Sequence, residues 1–276
     1  MTWHCRDFRL ELNRTRVMAI VNATPDSFSD GGMYFKPAQA IARVLNCIEE
    51  GADVIDLGGE STRPGAEPVS WQEEWSRLEP VLDGLASRKI DVPVSIDTYH
   101  PETASRSLAM GASIINCVYE KPAVEMAELA RETGCGLVVP FRRMDRTDDD
   151  RSIGTGSANG LEAFHGLESQ LMIDPMIGFG TTREEDMALM GSIRRMARIA
   201  PVLVGVSRKR LIKKLTGAKC LGKNLGGSVG AAVWCAMAGA SVVRVHDVKE
   251  TVQALAVVNA LATSDIDGGL QKEVAT

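Results

Sequence analysis

The chain reads as a single α/β domain, a (β/α)8 or TIM barrel, and three observations lead there. Eight short apolar runs alternate with eight stretches of helical periodicity along 276 residues, a length that a barrel of about 250 residues fills. Most of those runs end in a polar side chain, and no linker or composition shift divides residues 1–276 into two domains. An open doubly wound sheet would satisfy the same alternation, but it leaves two edge strands that the sequence does not protect.

Residues 1–15 form an N-terminal extension. The first strand, 17–22, ends in Asn22 and opens into the polar loop Thr24-Pro25-Asp26-Ser27-Phe28-Ser29-Asp30. Pro37 starts a helix to residue 50, with Ile41, Val44, Leu45 and Ile48 at helical spacing, and Gly51 ends it. The second strand, 53–57, breaks at Gly58-Gly59 into the loop Glu60-Ser61-Thr62-Arg63-Pro64. Ser70 with Glu73 three residues on is a capping-box pattern, and Trp71, Trp75, Leu78, Val81, Leu82 and Leu85 give that helix its apolar face. A third strand, 92–96, runs into Asp97-Thr98. Pro101 then opens a helix to residue 110, and a fourth strand, 113–116, ends in Asn116.

A helix over 122–133 leads to the fifth strand, 136–139, and then to residues 141–160, whose charge and glycine content read as a surface loop. A short helix is expected over 158–170, before the sixth strand, 171–174, which ends in Asp174. Gly178-Phe179-Gly180 makes a turn, and Thr181-Thr182-Arg183-Glu184-Glu185 caps and charges a helix to about residue 199. The seventh strand, 202–206, runs into the basic cluster Ser207-Arg208-Lys209-Arg210. A helix over 226–238, the eighth strand over 242–246 and a helix over 248–261 follow, and the tail 264–276 reads as frayed.

Composition narrows the function. Hydrophobic residues at 45% and charged residues at 24% describe a soluble globular protein. A formal net charge of −5 argues against a nucleic-acid partner bound through its phosphates. Six cysteines without a CxxC pair imply neither a disulfide frame nor a zinc site, so a cytoplasmic location is expected. Charges interrupt any signal-peptide core near the N-terminus, and no apolar run reaches the roughly 18 residues of a membrane span.

In a barrel the C-terminal strand ends converge on one face, bringing together Asn22, Asp56, Asp97, Asn116, Asp174, Lys209, Arg244 and His246. Buried carboxylates and amides need partners, and core packing alone does not call for them on nearly every strand. Asp97, Asn116 and Asp174 with Lys209 form a set suited to the edge of a planar nitrogen heterocycle. Arg63, Arg244 and His246 with Asn22 suit an anion such as pyrophosphate, with Asn22 as an oxygen ligand for magnesium. Blander roles exist for single residues: Asp97 as a helix cap, Lys209 in a solvated basic turn, His246-Asp247 as a loop end.

Seven collinear stretches then resemble one family: VNATPDSFSDGG at 21–32, GADVIDLGGESTRPGA at 51–66, VSIDT at 94–98, ASIIN at 112–116, IDPMIGFG at 173–180, SRK at 207–209 and RVHDV at 244–248. Together they resemble dihydropteroate synthase. The resemblance implies a barrel, usually a homodimer, that transfers a pterin methylene from 6-hydroxymethyl-7,8-dihydropterin diphosphate to 4-aminobenzoate. It implies catalytic roles for Lys209, Asp97 and Arg63, and pterin binding by Asp97, Asn116, Asp174 and Lys209. Asn22, Arg63, Arg244 and His246 would hold the diphosphate and Asn22 its Mg2+, while Phe28, Thr62, Pro64 and Phe179 would line the 4-aminobenzoate site. Asp56 would stand inside the pocket mouth, and the loops at 26–30 and 62–64 would close over the second substrate.

The chain departs from the family pattern at Cys117, where aspartate is usual, and at residues 140–144, where a Met-His-Met-like tract is usual. Met176 replaces glycine and Thr181 replaces lysine. A pterin-binding paralogue without synthase activity, or a folate-dependent methyltransferase of the same fold, would share many of these motifs. The intact SFSDGG and STRPG loops favour condensation, because a methyltransferase has neither diphosphate nor aminobenzoate to hold.

Overall fold

The structure, a computed structural model, describes residues 1–24, 37–60, 67–88, 90–141, 161–218 and 224–267. Eight parallel strands form the barrel: β3 (Arg16–Asn22), β4 (Val54–Gly58), β5 (Val94–Asp97), β6 (Ile114–Asn116), β7 (Gly136–Pro140), β8 (Leu171–Asp174), β9 (Leu203–Gly205) and β10 (Val242–Val245). Their order is β8-β7-β6-β5-β4-β3-β10-β9. The two ends of that row meet through the parallel bridge Ile173↔Val202, where Ile173 N donates to Pro201 O at 2.9 Å. Closure removes the two edges that made the open sheet a rival.

Helices α1 (Pro37–Glu49), α2 (Trp71–Ala86), α3 (Pro101–Ala109), α4 (Glu120–Thr133), α5 (Arg183–Met196), α6 (Arg210–Thr216), α7 (Leu225–Met237) and α8 (Val248–Asp267) surround the barrel. Thr182 caps α5 in a complete capping box with Glu185. At α2 only half of the expected box forms. Ser70 accepts from Glu73 N at 3.3 Å, while the Glu73 carboxylate turns to Arg77 one helical turn on.

Four expectations need correction. Residues 1–15 are more than an extension: β1 (Thr2–Cys5) and β2 (Phe8–Glu11) make an antiparallel hairpin. The helix expected over 158–170 is, within 161–170, only a 3-10 turn at Glu162–Phe164. Gly166 adopts φ +85° there, and such a left-handed residue ends a helix. The basic cluster after β9 leads into α6, and α8 continues past residue 261 to Asp267.

The barrel interior is layered by strand alternation. Met18, Val54, Ile114, Val138, Met172, Leu203 and Val242 point inward at one level, and Trp3 and Cys5 of the hairpin pack beneath them as a plug. Two residues further along, on the same face, stand Ile20, Asp56, Asn116, Pro140, Asp174, Gly205 and Arg244. One step along the strands thus brings four polar side chains into an interior that is dry below. Gly136 admits the plug, since a Cβ there would stand 2.8 Å from Cys5 Sγ and 3.1 Å from the Trp3 ring.

Candidate active site

The polar layer is a network of opposite charges. Arg244 Nε donates to Asp56 Oδ2 at 2.6 Å and its Nη2 to Asp97 Oδ2 at 2.5 Å. Asn116 Nδ2 donates to the same Asp56 oxygen at 3.2 Å. The register explains the meeting: Asp56 pairs with Ser95, Gly58 with Asp97, and Asp97 with Asn116, so neighbouring strands deliver these side chains at similar depth. Asp56 is fully buried, on the floor rather than at the mouth that the sequence suggested. It precedes the end of β4 by two residues, which sets it that much deeper.

Three buried polar atoms of this floor, Asp56 Oδ1, Asn116 Oδ1 and Ser95 Oγ, have no hydrogen-bond partner among the described residues. Leaving such an atom unpaired costs about 1–3 kcal/mol, so the floor has hydrogen-bonding capacity that its own side chains do not fill. Burial pushes the Asp97 carboxyl up to about 7, against the pull of Arg244 and with help from Asp56, Glu74 and Asp174. Arg244 goes the other way. Burial opposes its charge, but Asp56 and Asp97 outweigh that and hold it above the ordinary arginine value.

Lys209 stands at the N-cap position of α6 without a side-chain capping bond, and its side chain reaches across to the loop after β8. Its Nζ donates to Ile177 O and lies 4.4 Å above the centre of the Phe179 ring. Burial lowers the ammonium to about 8, opposed by Asp174 and reinforced by Arg244. Lys209 is therefore a half-buried cation with fixed neighbours and no part of a solvated turn. Asp97 is no helix cap either, since the N-cap of α3 is His100, three residues on, and α3 has no side-chain capping hydrogen bond.

Asn22 ends β3 beside Gly58, and a Cβ on Gly58 would make ordinary contact with Asn22 Oδ1 and Asp97 Cβ, each at 3.7 Å. His246 follows β10, with its backbone N and Nδ1 both 3.2 Å from Ser207 Oγ and its carbonyl accepting from Arg43 Nη2 at 2.9 Å. Asp174 Oδ1 accepts from Met176 N at 2.7 Å. Met176 keeps a left-handed φ of +59° at the position where glycine was expected. Arg63, Thr62, Pro64 and Phe28, with the two loops expected to close, lie outside the described residues.

Sequence reasoning passed over several partners. Ser95 precedes Asp97 by two, so strand alternation alone would have placed it on the floor. Glu74, a fully buried carboxylate on α2, accepts from Thr98 Oγ1 at 2.6 Å, and burial raises its pKa. An acid in a helix's first turn looks like an ordinary answer to the helix dipole, and nothing local separates it from one.

The profile of the family described as Pterin binding enzyme matches residues 18–246, from β3 to the residue after β10. The chain belongs to the pterin-binding enzyme family. Among its relatives, the dihydropteroate synthase of Neisseria meningitidis serogroup B is 40% identical over 280 residues, covering 94% of this chain and 97% of the relative. A solved dihydropteroate synthase of Xanthomonas albilineans with 4-aminobenzoic acid superposes with a TM-score of 0.83 at 37% identity, over 95% of this chain and 98% of that one. The same enzyme in complex with 7,8-dihydropteroate gives 0.79 at 34% identity, over 95% and 99%. The resemblance read from seven motifs thus extends along nearly the whole chain, and the (β/α)8 fold of the pterin-binding enzymes is the fold found here.

Proposed function

We infer that this chain is a transferase that condenses 6-hydroxymethyl-7,8-dihydropterin diphosphate with 4-aminobenzoate, giving 7,8-dihydropteroate and pyrophosphate. The carrying observation is the polar barrel floor with its unpaired acceptors, set at the strand ends of a pterin-binding enzyme. A pterin edge offers an amide N–H and an exocyclic amine, donors that suit Asp97, Asp174 and Asn116. Lys209 supplies the charged donor for the ring's acceptor side.

The aryl amine nitrogen attacks the pterin methylene carbon, the carbon–oxygen bond to the diphosphate breaks, and the amine gives up a proton. The ring delocalises the developing cation, so no covalent nucleophile is needed, and the protein's task is to orient the two substrates and exclude water. Asn22, Arg63 and His246 are assigned to the diphosphate. Arg244 joins them only through N–H groups not already given to Asp56 and Asp97. Phe28, Thr62, Pro64 and Phe179 are assigned to 4-aminobenzoate.

Magnesium fits the donor set. Asn22 offers a single amide oxygen at the end of β3, of the kind magnesium takes. That suits an ion carried in with the diphosphate, since magnesium commonly takes one or two protein ligands and completes its shell from phosphate and water. When bound it would supply positive charge to the leaving pyrophosphate.

A homodimer is the assembly we assign. The α7 sequence LGGSVGAAVWCAM is apolar on all sides, as a helix covered on both faces would be. Trp234 and Met237 of α7 and Val257 and Leu261 of α8 are all exposed in the single chain. A single chain in sedimentation at micromolar concentration would remove the dimer. No helix among the described residues is long and apolar enough to cross a membrane, and we place the protein in the cytoplasm.

The deciding experiment mixes pure protein with the pterin diphosphate, magnesium and 4-aminobenzoate and follows pyrophosphate. Release that needs the arylamine, and that a sulfonamide inhibits in competition with it, is expected. Pterin binding without release would make the chain an accessory protein, and the absence of both binding and release would remove the substrate assignment.

The pH dependence of kcat/KM should be a narrow bell. Asp97 must be ionised to accept from the pterin, so activity falls as pH drops through about 7. Lys209 must be protonated to donate, so activity falls as pH rises through about 8. Lys209→Ala should lower kcat/KM by about 10- to 100-fold, the worth of one charged hydrogen bond, and abolish the alkaline limb. An alkaline limb that survives in the variant would take Lys209 out of the site.

A further inference from the structure

The loop between β8 and α5 turns sharply through Met176, Gly178 and Gly180, whose φ values are left-handed at +59°, +82° and +66°. The two glycines adopt that conformation freely, whereas Met176 carries a Cβ and keeps it only where its surroundings over-determine it. Here the surroundings centre on Asp186, a buried residue of the first turns of α5. Its Oδ1 accepts from Gly178 N at 2.7 Å and from Thr181 Oγ1 at 2.5 Å, and Thr181 Oγ1 itself lies 3.0 Å from Gly178 N.

The same loop receives the end of Lys209. The ammonium donates to the carbonyl of Ile177 and lies over the ring of Phe179, the residues on either side of Gly178. Gly178 itself passes so close that a Cβ there would stand 2.8 Å from Lys209 Cδ. A small movement of the Gly178 peptide therefore moves both groups that fix the lysine.

We propose that Asp186, bridged by Thr181, is the positioning residue for Lys209, setting through the Gly178 amide where the Ile177 carbonyl and the Phe179 ring hold the ammonium. The proposal rests on Lys209 gripping the pterin. Asp186 also acts through charge. Asp174, Asp186 and Asp97 favour the Lys209 ammonium, and Arg244 opposes it, so Asp186 both places the cation and helps keep it protonated.

Three variants separate placement from charge. Asp186→Asn keeps an oxygen for Gly178 N and Thr181 Oγ1 but loses the charge, Asp186→Ala loses both, and Thr181→Val loses the bridge alone. In protein carrying 13Cε-lysine, with the Lys209 signal identified from its loss in Lys209→Arg, Asp186→Asn should lower the Lys209 titration midpoint by roughly 0.5 pH unit. Its KM for the pterin diphosphate at pH 7 should stay within about twofold of the unaltered chain, because placement is kept. Asp186→Ala should raise that KM by about tenfold or more, with a smaller change in kcat, and Thr181→Val should fall between.

An unchanged Lys209 midpoint in Asp186→Asn, together with an unchanged pterin KM in Thr181→Val or a folded Asp186→Ala, would reduce Asp186 to an ordinary acid at a helix start. The titration needs no turnover. Its failure is therefore distinct from failure of the synthase reading, which would appear as no pyrophosphate release by the unaltered chain.

Discussion

Asp97→Asn should lower kcat/KM for the pterin diphosphate by on the order of 100- to 1,000-fold while leaving the folded protein at least as stable as before at pH 8. The loss follows from how the two oxygens are used. Oδ2 accepts from Arg244 at 2.5 Å, which leaves Oδ1 for the pterin in the role proposed for Asp97. In asparagine the one remaining oxygen goes to Arg244, whose attraction is stronger, and the new NH2 faces a pterin N–H. A donor then meets a donor, and a buried polar mismatch is far more costly than a missing contact.

The stability half follows from linkage. The Asp97 carboxyl titrates near 7 in the folded chain against 3.8 for an unperturbed aspartate. A folded-state pKa above the unfolded one means that ionisation disfavours folding. The cost is fully present above pH 7, fades as pH falls towards 3.8 and is absent below it. Asparagine removes that cost and keeps a bond to Arg244, which retains Asp56 as its ionic partner. Melting curves of both proteins at pH 8 and pH 5 should show the variant at or above the parent at pH 8, with the gap closing at pH 5. A variant that melts several degrees lower at pH 8 would mean that the Arg244–Asp97 pair is a net structural support.

How much of this was legible in the sequence depends on the distance over which each feature is decided. Strands β3, β6 and β8 were legible because an apolar run stopped at a polar residue. Helix starts at Pro37, Ser70, Pro101 and Thr182 were legible because each carries its own local signal. Barrel closure was legible only as a count of eight, since the Ile173↔Val202 bridge joins strands through the register of the whole sheet. The hairpin was missed because β1 and β2 are four residues each and joined through Arg6 at φ +58°, a conformation that no glycine or asparagine announces.

The site divides in the same way. That Asp97, Asn116, Asp174 and Lys209 share one end of the barrel follows from their place on the strands. That Arg244 is bound to both Asp56 and Asp97 does not, because those partners lie 188 and 147 residues away and meet only when the barrel closes. Asp186 and Glu74 were hidden by a different ambiguity. Each looks like a helix-start acid, and only the fold turns it inward.

The hairpin under the barrel is where the second large effect is expected, and it should fall on stability rather than on chemistry. Trp3 is 1% exposed, packs into the plug beneath the apolar layer and donates from Nε1 to Gln170 O at 2.6 Å. Around it the hairpin stitches the bottom loops together. His4 N donates to Ser169 O and Arg6 N to Gly134 O, both at 2.8 Å, and Arg6 Nη1 donates to Leu108 O and Ala112 O. Trp3→Ala should therefore cost about 3–5 kcal/mol, from the lost burial, the cavity and a carbonyl left without its donor. For a chain of this size that lowers the melting temperature by roughly 10 °C. Gly136→Ala, which drives a Cβ into Trp3 and Cys5, should cost about 1–3 kcal/mol by overpacking the same plug. Pyrophosphate release by the folded fraction at low temperature should stay within about threefold in both, because the groups proposed to hold the substrates stand toward the other end of the strands. Thermal melts and turnover measured on the same preparations would check this. If either variant keeps its melting temperature but loses turnover, the hairpin acts on the polar layer above it and the division between a stability end and a chemistry end fails.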